Sequence, residues 1–168
     1  DTGRFHPAAA RNRPCPHPYL LSVGALKSRK GYHFSIPAFI MLTESFPDLR
    51  YVIIGTQTDR GYVAVLRAIV EKANMTNLVL FRENVPEDVL LQWYGGAEAF
   101  VLSSVERNNA VEGFGMVYLE AGACGVPVVG CTETGAEDAV VDGQTGFLVS
   151  HDPTAIADAI RKILRDKN

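Results

Sequence analysis

YVIIGTQTDRGYVAVLRAIVEKANMTNLVLF, residues 51–81, decides the fold. Its first four residues are aromatic or β-branched with no polar break, the mark of a strand covered on both faces. After a polar turn, Val65, Leu66, Ile69 and Val70 recur at helical spacing, placing one apolar stripe on a helix over 62–73. A second apolar run at 78–81 closes the unit. Strand, helix and strand in that order form one crossover of a parallel sheet.

The same alternation extends in both directions. Further strands are expected at 19–23, 99–102, 128–129 and 147–149, and further helices at 35–44, 86–94, 115–123 and 154–164. Pro37 suits a first helical turn, and Pro86-Glu87-Asp88 is a favourable helix start because acidic side chains complement the positive N-terminal end. Ile156, Ala157, Ile160, Ile163 and Leu164 form the buried stripe of the last helix. Gly125 reads as a helix C-cap and Pro127 as the stop before the next strand. The fold expected is α/β: a Rossmann-like doubly wound parallel sheet of about six strands with helices on both faces. In such sheets ligands bind outside the carboxyl ends of the strands, so the informative segments are those following each strand.

Residues 1–18 hold four prolines and no apolar periodicity, and read as a linker or lead-in to a domain over 19–168. At 168 residues the chain has the length of one domain, and 47% hydrophobic with 21% charged residues places it among globular proteins. A net charge of −3 supplies no electrostatic drive toward nucleic acid. No apolar run approaches the roughly 18 residues of a membrane span, and no signal-like apolar stretch opens the sequence. Cys15, Cys124 and Cys131 form no CxxC pair, which argues for a reducing compartment and against structural zinc. None of the four histidines has a partner at metal-ligand spacing, and His151 reads as part of a turn before Asp152-Pro153.

Two loops carry candidate chemistry. After the first strand, Gly24-Ala25-Leu26-Lys27-Ser28-Arg29-Lys30-Gly31 packs three cations into four positions ahead of a helix, an arrangement that suits a phosphate or a solvated basic turn. After the fourth strand, polar residues lead into Glu112-Gly113-Phe114-Gly115 and then a helix carrying Glu120. Glycines at a helix start leave backbone N–H groups open to a ligand. Glu120 stands among Val, Leu, Ala and Cys and needs donors, which the vicinal hydroxyls of a ribose or a salt-bridge partner can supply. The segment Thr132–Asp138 is expected to open another short helix at the same edge. No GxSxG elbow supports a serine hydrolase.

EGFGMVYLE, with Glu112 and Glu120 separated by seven residues and Gly-Phe-Gly after the first, resembles the signature of retaining GT-B glycosyltransferases. More narrowly it is similar to the "group 1" family of glycogen, sucrose, mannosyl and bacterial polysaccharide transferases. SVGALKSRKG, FPDLRYVIIG, EAGACGVPVVG and VVDGQTGFLVSHDP extend the resemblance over residues 19–163, and DTGRFHP resembles the end of the segment joining the halves of such enzymes. The resemblance implies that this chain is the C-terminal, nucleotide-sugar-binding half, with the acceptor-binding N-terminal half absent from it. It implies Glu112 on donor-sugar hydroxyls, Glu120 on the ribose, and the N–H groups of Gly113, Phe114 and Gly115 near sugar and diphosphate. Gly24 belongs to the same donor loop, Lys30 matches the lysine that neutralises the diphosphate, and the base would meet backbone around residues 82–85, including Val85. Glu112 and Lys30 are thus the candidate catalytic residues.

No metal and no cofactor are implied beyond the nucleotide diphosphate sugar as substrate. The location implied is cytoplasmic, at the inner face of a membrane where the acceptor is lipid-linked. One departure stands out. The family carries Gly-Arg in the first loop, its arginine also on the diphosphate, whereas this chain has Gly24-Ala25. Arg29 is the candidate replacement. Two other readings stay open: a non-catalytic nucleotide-sugar-binding module, consistent with Ala25, and half of a sugar-nucleotide epimerase, which has no need of the two-glutamate pattern.

Overall fold

A computed structural model describes residue 5 and residues 13–105 and 115–166 of the chain. Among them run six strands: β1 (Tyr19–Val23), β2 (Arg50–Ile54), β3 (Val79–Arg82), β4 (Ala99–Val101), β5 (Val128–Cys131) and β6 (Gly146–Val149). Five helices connect or follow them: α1 (Tyr32–Ile40), α2 (Arg60–Lys72), α3 (Glu87–Gly95), α4 (Met116–Ala123) and α5 (Pro153–Asp166). The strands form one all-parallel sheet in the order β3-β2-β1-β4-β5-β6. The expected Rossmann-like doubly wound sheet is therefore present.

Burial follows position in that order. The central strands β1, β2, β4 and β5 are buried along nearly their whole length, whereas β3 and β6 at the edges are half-exposed. Right-handed crossovers place α1 and α2 on one face and α3 and α4 on the other. Packing agrees: α1 touches α2 and α5, while α3 touches α4. Central strands are thus covered twice, which is why YVII and YLLSV read as unbroken apolar runs. The polar exception, Ser22, is satisfied by the Tyr51 hydroxyl at 2.7 Å and by the Val101 carbonyl.

Two local expectations differ from the structure. Helix α1 starts three residues earlier than expected, at Tyr32, and ends at Ile40. Gly31, at φ 68°, turns the chain into it, so Pro37 sits mid-helix and forfeits only its own bond to the His33 carbonyl. Beyond Ile40 the backbone tightens into i→i−3 bonds (Leu42 to Phe39, 2.9 Å), and the Thr43 hydroxyl takes the Ile40 carbonyl at 2.8 Å. Residues 132–138 form turns instead of a helix: the Thr134 hydroxyl bonds the Cys131 carbonyl at 2.8 Å, and Glu137 accepts from the Glu133 N–H at 3.0 Å. Glu133 adopts φ 59°, outside the right-handed helical region, and the backbone after it closes in i→i−3 turns (Glu137 to Thr134 and Ala139 to Ala136, both 3.1 Å). Three of the described residues ahead of β1 pack against the rest of the chain. Arg13 reaches the Gly96 carbonyl at 2.7 Å and the Glu98 carboxylate at 2.5 Å, Cys15 is buried, and the Phe5 ring meets Tyr94 edge-on.

Candidate functional site

The strand order reverses between β1 and β4, and the segments leaving these two strands are fastened together at the carboxyl edge of the sheet. The Ser103 hydroxyl donates to the Gly31 carbonyl at 2.6 Å, and the Val105 N–H donates to the Arg29 carbonyl at 2.8 Å. The approach is so close that a Cβ on Gly31 would lie 1.7 Å from the Ser103 carbonyl oxygen. A positive φ and a backbone contact therefore both demand glycine here. Behind them, Tyr118 of α4 donates to the Leu102 carbonyl at 2.9 Å. From the far side, His151 packs its ring near Phe34 and donates from Nε2 to the Ser104 carbonyl at 2.6 Å.

Into this frame the loop after β1 brings Gly24, Arg29 and Lys30. Arg29 and Lys30 lie in a short 3-10 turn (Ser28–Lys30) that runs directly into Gly31 and the first N–H groups of α1. Lys30 is only 8% exposed, and its stem passes over Gly24, where an added Cβ would come within 3.3 Å of Lys30 Cε and 3.2 Å of the Tyr32 hydroxyl. That hydroxyl donates to the Gly24 carbonyl at 2.8 Å, fixing the floor of the loop. Gly55, at the end of β2, approaches Gly24 so closely that a Cβ would sit 1.9 Å from its carbonyl oxygen. Gly24 and Lys30 are thus brought together, with Arg29 half-buried beside them.

On the α4 side, Gly115 caps the helix at φ 55°, where a Cβ would meet the Tyr118 ring at 2.6 Å. Glu120 stands in the second turn of α4, half-buried, and accepts from the Tyr94 hydroxyl at 2.7 Å. Burial, reinforced by the negative charge of Glu120, pushes the Tyr94 phenol far above its ordinary pKa, so it remains a donor. Nothing local in 86–94 distinguishes Tyr94 from the apolar residues around it. The available signal was general: a buried tyrosine hydroxyl needs a partner. Val85 lies half-buried in the loop after β3, beside Glu83, whose carboxylate accepts from the Gln57 N–H at 2.9 Å and ties the ends of β2 and β3 together. Glu112, Gly113 and Phe114 lie outside the described residues.

At the carboxyl edge a lysine lies beside a glycine at the start of α1, and on α4 Glu120 is a carboxylate with one of its acceptor sites already occupied. Residues 9–168 match the family described as Glycosyl transferases group 1, and the chain belongs to that family. A GDP-mannose-dependent alpha-(1-6)-phosphatidylinositol monomannoside mannosyltransferase of Mycolicibacterium smegmatis is 34% identical across 99% of this chain and 45% of its own length. A D-inositol 3-phosphate glycosyltransferase of Acidothermus cellulolyticus is 33% identical across 98% of this chain and 38% of its own. The chain thus spans less than half the length of these two relatives. Among solved structures, the C-terminal domain of a group 1 family glycosyltransferase from Francisella tularensis superposes with a TM-score of 0.84 at 27% identity, covering 99% of this chain and 88% of that one. Among the described residues no helix is long and apolar enough to cross a membrane.

Proposed function

We propose that this domain holds a nucleotide diphosphate sugar, linked to UDP, GDP or ADP, at the carboxyl edge of its sheet. Joined to an acceptor-binding N-terminal half, it transfers the sugar with retention of configuration. The observation that carries the reading is Lys30, packed over Gly24 and placed at the mouth of α1, where the segments after β1 and β4 are locked together. When the bond between sugar and diphosphate breaks, the electron pair stays on the departing diphosphate oxygen. A fixed ammonium and a helix N-terminus lower the energy of that charge without reorganising. No metal or cofactor is needed in this scheme.

Glu120 takes the ribose hydroxyls through the acceptor sites that Tyr94 leaves open. Gly115 belongs to the amide-rich start of α4, and Val85 to the loop that borders the base. Glu112 on the donor sugar, with Gly113 and Phe114 near the diphosphate, rests on the family resemblance of EGFGMVYLE. The mannosyltransferase relative's name supports a lipid-linked acceptor; a cytoplasmic site at the inner face of a membrane rests on cysteine usage and the family resemblance.

Isothermal titration of the chain with UDP, GDP and ADP tests the reading. Weak binding of at least one is expected, lost on Glu120→Ala, with little or no transfer by the isolated chain. Failure of all three to bind would overturn the donor-site assignment. A non-catalytic nucleotide-sugar-binding module is the second reading, favoured by Ala25 standing where the family carries arginine. It is separated from the first by the full-length protein: binding of donor without transfer to any acceptor supports the module, turnover supports the enzyme.

A further inference from the structure

Tyr94 is held more firmly than a residue serving only as filler. It is fully buried in α3, its ring is stacked on Phe100 of β4 at 5.9 Å and 24°, and Phe5 closes on it edge-on at 5.7 Å. The hydroxyl of this fixed ring is directed at α4, the neighbouring helix, where it meets Glu120 Oε2 at 2.7 Å. A glutamate has three side-chain torsions, and freezing them when a ligand arrives opposes binding. A rigid donor on one oxygen removes that opposition beforehand.

We infer that Tyr94 is a positioning residue of the nucleotide site: its hydroxyl holds the Glu120 carboxylate in an orientation that presents Oε1, and the remaining lone pair of Oε2, to the two hydroxyls of a ribose. The inference rests on the reading above that Glu120 receives the ribose. It also fixes the chemistry of recognition, because a carboxylate with one site occupied by a phenol offers acceptors only. The ligand must present donors, and a vicinal diol presents two at matching separation. Burial and the neighbouring Glu120 charge push the phenol well above its ordinary range, which favours the protonated donor.

Titration of the full chain with GDP and UDP, each against its 2′,3′-dideoxy form, tests this. Tyr94→Phe keeps the ring and its packing and removes only the hydroxyl. It is expected to weaken the ribose nucleotide by roughly 5- to 10-fold while leaving the dideoxy form within about twofold of wild type, since one hydrogen bond to a charged group is lost and nothing else. Equal weakening of both forms would mean that Tyr94 merely ties α3 to α4, and would overturn the inference. No change, or tighter binding of the ribose form, would overturn it as well. Glu120→Gln is the companion measurement. If wild type does not prefer ribose over dideoxyribose, or Glu120→Gln keeps that preference intact, the ribose reading of Glu120 fails and the inference fails with it. If Glu120→Gln abolishes the preference and Tyr94→Phe does not, only the positioning role is lost.

Discussion

Lys30 and Arg29 are adjacent in one short turn, yet their surroundings differ. Lys30 is buried against Gly24, and Arg29 is half-exposed with its carbonyl engaged by Val105. Lys30→Ala should weaken nucleoside diphosphate binding by about 1.5–3 kcal/mol, the worth of a charge-assisted contact. Arg29→Ala should cost a comparable amount if Arg29 supplies the charge that Ala25 lacks. Titration of UDP or GDP against both variants decides, and an Arg29→Ala variant that binds like wild type removes the replacement idea. These cations were legible in the sequence because three in four positions before a helix is a local pattern. Tyr94 was not, because its contact with Glu120 joins residues 26 apart whose helices meet only in the folded chain. Glu120 itself was singled out by its apolar neighbours, but its first donor proved to be a protein hydroxyl.

At the scale of elements, the contact between the turn before α1 and the exit of β4 is what aligns these two segments. Gly31→Ala places a methyl 1.7 Å from the Ser103 carbonyl oxygen at a φ of 68°, where the Ser103–Gly31 and Val105–Arg29 hydrogen bonds hold the two segments together. The expected loss is about 3 kcal/mol or more, in the range of substitutions that combine steric overlap with backbone strain. Chemical denaturation would read it as a lowered midpoint. Gly143→Ala is the control: it too has positive φ, at 72°, but its Cβ would meet nothing within 4 Å, so about 1 kcal/mol is expected from strain alone. Equal losses would show that the Ser103 contact yields easily. Strand positions were legible to within two residues at either end, since each is a short β-branched or aromatic run bounded by polar turns. Helix α1 begins upstream of the start that Pro37, commonest in a first turn, implies, because the turn at Gly31 opens it earlier. Residues 132–138 misled for a related reason. Thr134 and Glu137 suit a helix start in sequence, but Glu133 takes a positive φ of 59° in the fold and the segment closes in successive turns.

For the whole molecule, the covered sheet leaves a titration signature. Burial pushes the Cys131 thiol from its ordinary 9.0 up to about 12. The Tyr51 phenol rises from 10.0 to about 12 for the same reason, although its bonds with the Ser22 and Ser35 hydroxyls act in the opposite direction. Burial likewise takes Tyr62 to about 12. Each group is neutral in the folded chain at a pH where the unfolded chain has begun to lose the same proton. Above about pH 9 the unfolded state therefore binds fewer protons than the native state, and stability falls as pH rises. The contribution is complete below the unfolded values of 9 to 10 and is lost as pH climbs toward 12. Each such group steepens the decline by up to about 1.4 kcal/mol per pH unit once its unfolded form has titrated. Thermal midpoints should consequently drop progressively from about pH 9 upward, beginning with Cys131, whose unfolded value is the lowest of the three. In Cys131→Ala the drop should begin nearer pH 10, where the tyrosines take over, against a lower starting stability from the lost sulfur. A disulfide-exchange reagent at pH 8 gives an independent reading of the same burial. Cys15, Cys124 and Cys131 are all buried, so labelling should be slow in the native chain and should follow unfolding in denaturant. Rapid native-state labelling, or a midpoint that holds steady from pH 9 to 11, would mean that the sheet is not sealed on both faces as its strand sequences imply.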